Sequence, residues 1–177
     1  MKKSSKTALG GMVAALSVSL LFLVSVVPFL TYALPAAAAA LLILVVIEIN
    51  KKWAFGVYVS VSLLGLLVVP NQEVAVLYAD FFGFYPIVKA AIEKKMPRVV
   101  EYILKVLLFL VTMVSAYFLM IRFMGITIEE TESFGRFALP VLLGTGCVAF
   151  LVYDYALTKL IGLYVFKWQK RFRKYFK

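Results

Sequence analysis

Apolar residues gather into six runs along the chain, at residues 9–30, 32–47, 53–69, 74–92, 99–124 and 137–166. A bilayer core about 30 Å thick takes about 20 apolar residues of helix, so each run predicts one membrane-spanning helix. The second and third runs are short and the sixth is long, and tilt, re-entry or an interfacial tail must absorb the difference. Breaks between the runs carry turn chemistry. Pro28 and Pro35 bracket the first break, and Glu48, Asn50, Lys51 and Lys52 form the second. Pro70, Asn71, Gln72 and Glu73 make the third, Lys94, Lys95, Pro97 and Arg98 the fourth, and residues 125–136 the fifth. The pattern predicts an all-α integral membrane protein. Residues 1–166 form a six-transmembrane-helix bundle, and residues 167–177 form a basic, aromatic tail.

The basic residues orient the bundle. Lys2, Lys3 and Lys6 precede the first run, Lys51 and Lys52 follow the second, and Lys89, Lys94, Lys95 and Arg98 stand at the end of the fourth. Lys167, Lys170, Arg171, Arg173, Lys174 and Lys177 follow the sixth. The opposite boundaries hold only Arg122 and Arg136, and short loops rich in Lys and Arg stay cytoplasmic. Both termini are therefore expected in the cytoplasm of a multi-pass cell-membrane protein. The first run exceeds the 7–15 residues or so of a signal-peptide core and reads as a retained helix.

Composition agrees. Of the 177 residues, 64% are hydrophobic and 16% charged, against about 45–50% and 25% in soluble domains. The excess must face lipid. A formal charge of +10 would suggest nucleic acid in a soluble protein, but here the charge flanks hydrophobic runs and reads as orientation. In the tail, Trp168, Phe172, Tyr175 and Phe176 alternate with basic residues, the pattern of an interfacial helix on anionic lipid.

Small residues mark the first helix. Thr7, Gly10, Ala14 and Ser17 line one stripe, and Ala8, Gly11 and Ala15 line the next. Small residues four apart let another helix approach to backbone contact. The strip serves either packing inside the bundle or docking of a separate subunit. Residues 36–40, all alanine, and Gly144 with Gly146 offer further close-approach surfaces.

Six helices, inside termini, a short chain and this strip resemble the S components of energy-coupling factor transporters, the substrate-binding membrane subunits of vitamin uptake systems. Gly10 with Ala14, or Gly11 with Ala15, stand where that family carries an Ala-x-x-x-Ala motif, with glycine replacing its first alanine. The resemblance implies capture of a small, vitamin-like molecule. It also implies docking of the first helix on a transmembrane coupling subunit that works with ATPases. It carries over no substrate residue. The absence of histidine argues against the nickel and cobalt members of the wider group. The alternative is a non-catalytic scaffold of a cell-envelope complex, in which the strip binds a protein partner and there is no ligand.

Charges inside a bilayer are costly and mark functional or paired positions. Asp154 lies about 20 Å along a helix from Lys167, near mid-membrane. Lys105 and Lys159 lie shallower and can snorkel, but an aspartate has no such reach. Asp154, Lys105 and Lys159 therefore form a candidate intramembrane charge network. The fourth run is irregular between Asp80 and Pro86, because Pro86 removes a helical hydrogen bond and Gly83 permits a break. Tyr78, Asp80 and Tyr85 there form the candidate ligand site, combining an acceptor with aromatic faces. Glu129, Glu130 and Glu132 lie in the outer loop, which either closes over an external cavity or is simply solvated.

Catalysis has little to work with. The chain has no histidine, Cys147 stands alone, and no GxxxxGK[ST] phosphate-cradling motif occurs. The sequence predicts no enzyme, no metal site, no cofactor and no nucleic-acid partner. Its expected partners are membrane lipid, a coupling subunit and a small-molecule ligand.

Overall fold

The computed structural model describes residues 3–120, 122 and 138–169. Those residues are helical throughout, joined by short turns, with no strand among them. The helices are α1 (Lys3–Leu23), α2 (Ala33–Glu48), α3 (Lys51–Val68), α4 (Gln72–Leu77), α5 (Tyr85–Lys95), α6 (Arg98–Leu119) and α7 (Ala138–Leu163). A 3₁₀ turn, Pro28–Leu30, links α1 to α2. A π-helical turn, Tyr78–Phe82, joins α4 to α5, and another, Tyr164–Trp168, extends α7.

Five segments are long and apolar enough to cross a membrane: Lys3–Leu23, Lys51–Val68, Gln72–Lys94, Arg98–Leu119 and Leu143–Trp168. The remaining run, the second, forms the shorter helix α2, of 16 residues. This supports a multi-pass membrane protein. The expected first span shifts toward the N-terminus, because α1 begins at Lys3 and ends at Leu23, ahead of Pro28. Most of the outer loop, with Glu129, Glu130, Glu132 and Arg136, lies outside the described residues, as does the tail beyond Gln169.

Local chemistry sets the helix starts. Asn50 caps α3 by accepting the Trp53 backbone N–H at 2.9 Å, and Asn71 caps α4 by accepting that of Val74 at 3.3 Å. Each cap satisfies one of the orphan donors of a helix N-terminus. Pro97 stands at the start of α6 in extended backbone.

The chain folds around its interrupted fourth segment and helix α2. Within the segment Gln72–Lys94, 56% of the most apolar window is buried, against 22–28% for the other four spanning segments. Helix α2 packs on α1, α3, α5, the π-helical turn and α7, and so is central too. Its alanines explain the close fit, since Ala38 and Ala39 are fully buried and Ser17 of α1 donates to the Ala38 carbonyl at 3.3 Å. A helix walled by other helices does not have to match the bilayer by its own length. One apolar core joins α1, α2 and α3 through Leu9, Leu21, Leu42, Val61 and Tyr78. A second, aromatic core joins α2 and α5 to α6 and α7 through Ile43, Phe81, Tyr85, Phe109 and Phe150.

Candidate functional site

Helices α5, α6 and α7 meet at a buried ionic network. Lys89, Lys105 and Asp154 are 1%, 1% and 4% exposed. Lys89 Nζ lies 2.5 Å from Asp154 Oδ1 and 2.5 Å from Glu93, and donates to Thr158 Oγ1 at 2.8 Å. Lys105 Nζ lies 3.2 Å from Asp154 Oδ2, 2.5 Å from Glu101 and 2.8 Å from Glu93. The Tyr85 hydroxyl also donates to Asp154 Oδ1. Two ammonium groups thus share three carboxylates, with hydroxyls filling further sites. Buried charges persist in a low-dielectric interior when they are paired and hydrogen-bonded in this way.

Sequence reasoning paired Asp154 with Lys105, and the structure joins them. Lys159 stands apart. It is exposed and holds its ammonium 5.3 Å from the Tyr155 ring centroid. Lys89 takes the place expected for it. The sequence reading counted Lys89 with the boundary lysines, because Lys94, Lys95 and Arg98 follow so soon after. Its spacing from Glu93, one helical turn on, was the available signal that it pairs within the bundle.

One turn away along α5, α6 and α7 the aromatic side chains form a layer. Phe109 and Phe150 stack at 4.9 Å with planes 12° apart, and Phe81 meets both edge-on at 5.3 and 5.7 Å. Tyr85 packs edge-on against Phe150 at 5.2 Å while its hydroxyl reaches Asp154. Such geometries suit the ring quadrupole and keep the layer dense.

On the side of this layer away from the ionic network lies a cavity of about 480 Å³. Its floor and walls include Phe81, Phe82, Phe109, Phe150 and Tyr153, with Met113, Ala116 and Met120 on the α6 side. Tyr32 and Ala33 from the start of α2, Glu73 from the start of α4, and Leu143 and Thr145 on α7 complete it. Gly146 admits the Phe109 ring, since a Cβ there would stand 3.0 Å from Phe109 Cζ. The volume and aromatic lining fit a small-molecule site.

The π-helical turn sets which side chains of the fourth segment reach this cavity. The Gly83 N–H bonds the Tyr78 carbonyl at 2.8 Å, five residues back, and the Ala79 carbonyl accepts the Tyr58 hydroxyl at 2.5 Å. Glycine is required at 83, because a Cβ would stand 2.7 Å from Tyr58 Cδ2 and 2.8 Å from Tyr78 Cε1. Of the three ligand candidates, Tyr78 is fully buried among α1, α2 and α3, and Tyr85 belongs to the ionic network. Asp80 is half-buried beside α6, with Ser115 Oγ donating to Oδ1 at 3.4 Å. Its Oδ2 is buried without a hydrogen-bond partner, and none of the three side chains lines the cavity. The neighbours Leu77, Phe81 and Phe82 do.

The small-residue strip on α1 divides in two. Gly10 is buried against Val57 of α3, where a Cβ would meet Val57 Cγ2 at 3.2 Å, and Ala14 packs on the α1–α3 core. Gly11 and Ala15 are exposed, with nothing within 4 Å of a Cβ at Gly11. Beside them Gly10, Gly11 and Ala14 border a groove completed by Trp53, Gly56 and Ser60 of α3. Cys147 is partly buried against the aromatic core. Among the described residues, no group of three or more Cys, Asp or Glu side chains is placed to hold a metal ion. Compared with protein-family models, curated proteins and solved structures, the chain finds no match.

Proposed function

We propose that the protein is a substrate-capture membrane subunit of a multi-component small-molecule importer, similar to an S component. In this reading all six apolar runs span the cell membrane and both termini are cytoplasmic. The cavity between α2, α4, α6 and α7 then opens toward the outer face. The observation that carries the reading is the closed end of the cavity. The cavity is backed by the aromatic layer of Phe81, Phe109 and Phe150, and that layer by the ionic network around Asp154. A site open on one side and sealed on the other captures, and release inward then calls for a partner. The chain carries no phosphate-cradling motif, so the energy comes from a transmembrane coupling subunit and its ATPases. The exposed Gly11 and Ala15 offer that partner a surface for close helix approach.

Native mass spectrometry of protein purified in mild detergent tests this. A retained small molecule, lost when Ala149→Trp on the α7 wall fills the cavity, is the expected result. Absence of any retained molecule, with partner subunits still bound, would favour the scaffold reading, which draws on the exposed Gly11 and Ala15 face and the groove beside it. Topology is tested by cysteine labelling from outside the cell. A cysteine at Asn71 should react and one at Lys52 should not.

A further inference from the structure

We infer that the groove between α1 and α3 binds an anionic phospholipid, with one acyl chain along the groove and the phosphate against Lys52. The inference takes its leaflet from the six-span orientation proposed above and does not depend on capture in the cavity. Gly10, Gly11 and Ala14 of α1 and Gly56 of α3 form the floor. At its base the helices touch, where a Cβ at Gly10 would meet Val57 Cγ2 at 3.2 Å. A Cβ at Gly11 or Gly56 would meet nothing within 4 Å, so these two positions keep the groove open. Ser60 Oγ donates to the Gly56 carbonyl at 3.0 Å and Thr7 Oγ1 to the Lys3 carbonyl at 3.2 Å. Both hydroxyls on the rim thus direct their protons to their own helices, which leaves mainly apolar contact for an occupant.

One end of the groove is positively charged. Lys52 and Trp53 border it, both exposed, in the first turn of α3. That turn holds no acidic residue and adds the positive end of the helix dipole. Gly10 faces Val57 and Gly65 faces Leu21, so α1 and α3 run parallel and start at the same end. Lys3 and Lys6 of α1 therefore join Lys51 and Lys52 there. In the proposed orientation this end lies in the cytoplasmic leaflet, where anionic lipids gather and basic pockets between helices bind their headgroups. The Trp53 indole suits the same level.

The length of the groove favours an acyl chain over a protein helix. From Lys52 to Ser60 the wall runs about 12 Å, most of one leaflet of a hydrocarbon core about 30 Å thick. Beyond it Leu63, Leu64 and Leu67, 45–81% exposed, continue the same face of α3 and end the smooth surface. A helix crossing both leaflets would run into these side chains. A single acyl chain stops short of them.

Fluorescence quenching by brominated lipid tests the inference. The full chain carries Trp168→Phe, which leaves Trp53 as its one tryptophan, and is placed in phosphatidylcholine vesicles. Phosphatidylglycerol or phosphatidylcholine with the same dibrominated chains is then titrated in. Phosphatidylglycerol should reach half-maximal quenching at about tenfold lower mole fraction, the scale of one or two lysines at an anionic headgroup. Lys52→Gln should shrink that preference about fivefold. Gly56→Leu places its Cβ in open space and its side chain in the groove, so the fold should persist and the preference vanish. Equal curves for the two lipids in the unmodified groove would overturn the inference. A preference that survives Gly56→Leu would also overturn it, since headgroups would then gather at the basic surface without a seated chain. Weak quenching by both lipids, unchanged by Gly56→Leu, would leave the groove to a protein helix and overturn it as well. None of these results depends on orientation or on the cavity, so each failure leaves the capture reading standing.

Discussion

Asp154 and Asp80 both lie within apolar helical segments, and their surroundings differ in kind. Asp154 has Lys89 at 2.5 Å and the Tyr85 hydroxyl from α5, and Lys105 at 3.2 Å from α6. Asp80 accepts one side-chain hydrogen bond, from Ser115 at 3.4 Å, lies beside the Ala116 backbone N–H, and has one buried oxygen without a partner. No ion pair to Asp80 occurs among the described residues. Helix α7 and its neighbours thus close around a charge that is answered. The π-helical turn holds one that is not. A saturated network is costly to break because each remaining charge is stranded. A lone carboxylate stabilises little, so its loss should matter little to folding.

Asp154→Ala is the hardest test of this contrast. It strands Lys89 and Lys105 beside fewer carboxylates and should cost about 3–5 kcal/mol, read as a large fall in the thermal unfolding midpoint in detergent. Wild-type melting would show that depth in the bundle, and not pairing, is what distinguishes the two aspartates. Gly83→Ala asks next whether the turn that carries Asp80 is itself tightly packed. Its Cβ would press on Tyr58 and Tyr78, and overpacking of this sort costs about 1–3 kcal/mol. A neutral result would mean that Asp80 lacks partners because its surroundings are loose.

Asp80→Asn should change stability by less than about 1 kcal/mol, since the amide keeps the shape and an acceptor for Ser115 and removes a charge that no ion pair answers among the described residues. A drop comparable to that of Asp154→Ala would reveal a partner outside the described residues and remove the contrast. Lys159→Ala should do least. Its ammonium lies over the exposed Tyr155 ring, an interaction of about 0.5 kcal/mol. A larger loss would place Lys159 in the Asp154 network after all, and would restore the pairing expected from depth along α7.

Particular residues show how far the sequence could be read. The irregularity near Gly83 and Pro86 was legible, because proline and glycine act on their own turn wherever the helix sits. The need for Asp154 to find partners was legible from its depth, and Lys105 was named among them. Lys89 was missed. Position relative to the ends of a run cannot tell a lysine that snorkels out from one that turns in. Tyr78, Asp80 and Tyr85 carry polar atoms that single them out in the sequence, whereas Phe81 and Phe82 in the same stretch do not. The π-helical turn sends those three toward other helices, and the purely apolar neighbours line the cavity. Gly10 and Gly11 differ by one position and by 100° of helix rotation, enough to bury one and expose the other.

The sequence by itself determined the helical segmentation, the caps and breaks that bound it, and the need to place most side chains against lipid or one another. These are local properties, set by run length, turn residues and the cost of exposing apolar surface to water. Which face of each helix turns inward was decided by tertiary structure alone. In a soluble helix a polar stripe marks the outside, but here lipid and core are both apolar and the periodic signal fades. The partners of Asp154, the isolation of Asp80 and the opening of the cavity beside α7 all follow from those rotations, which are set by packing between helices distant in sequence.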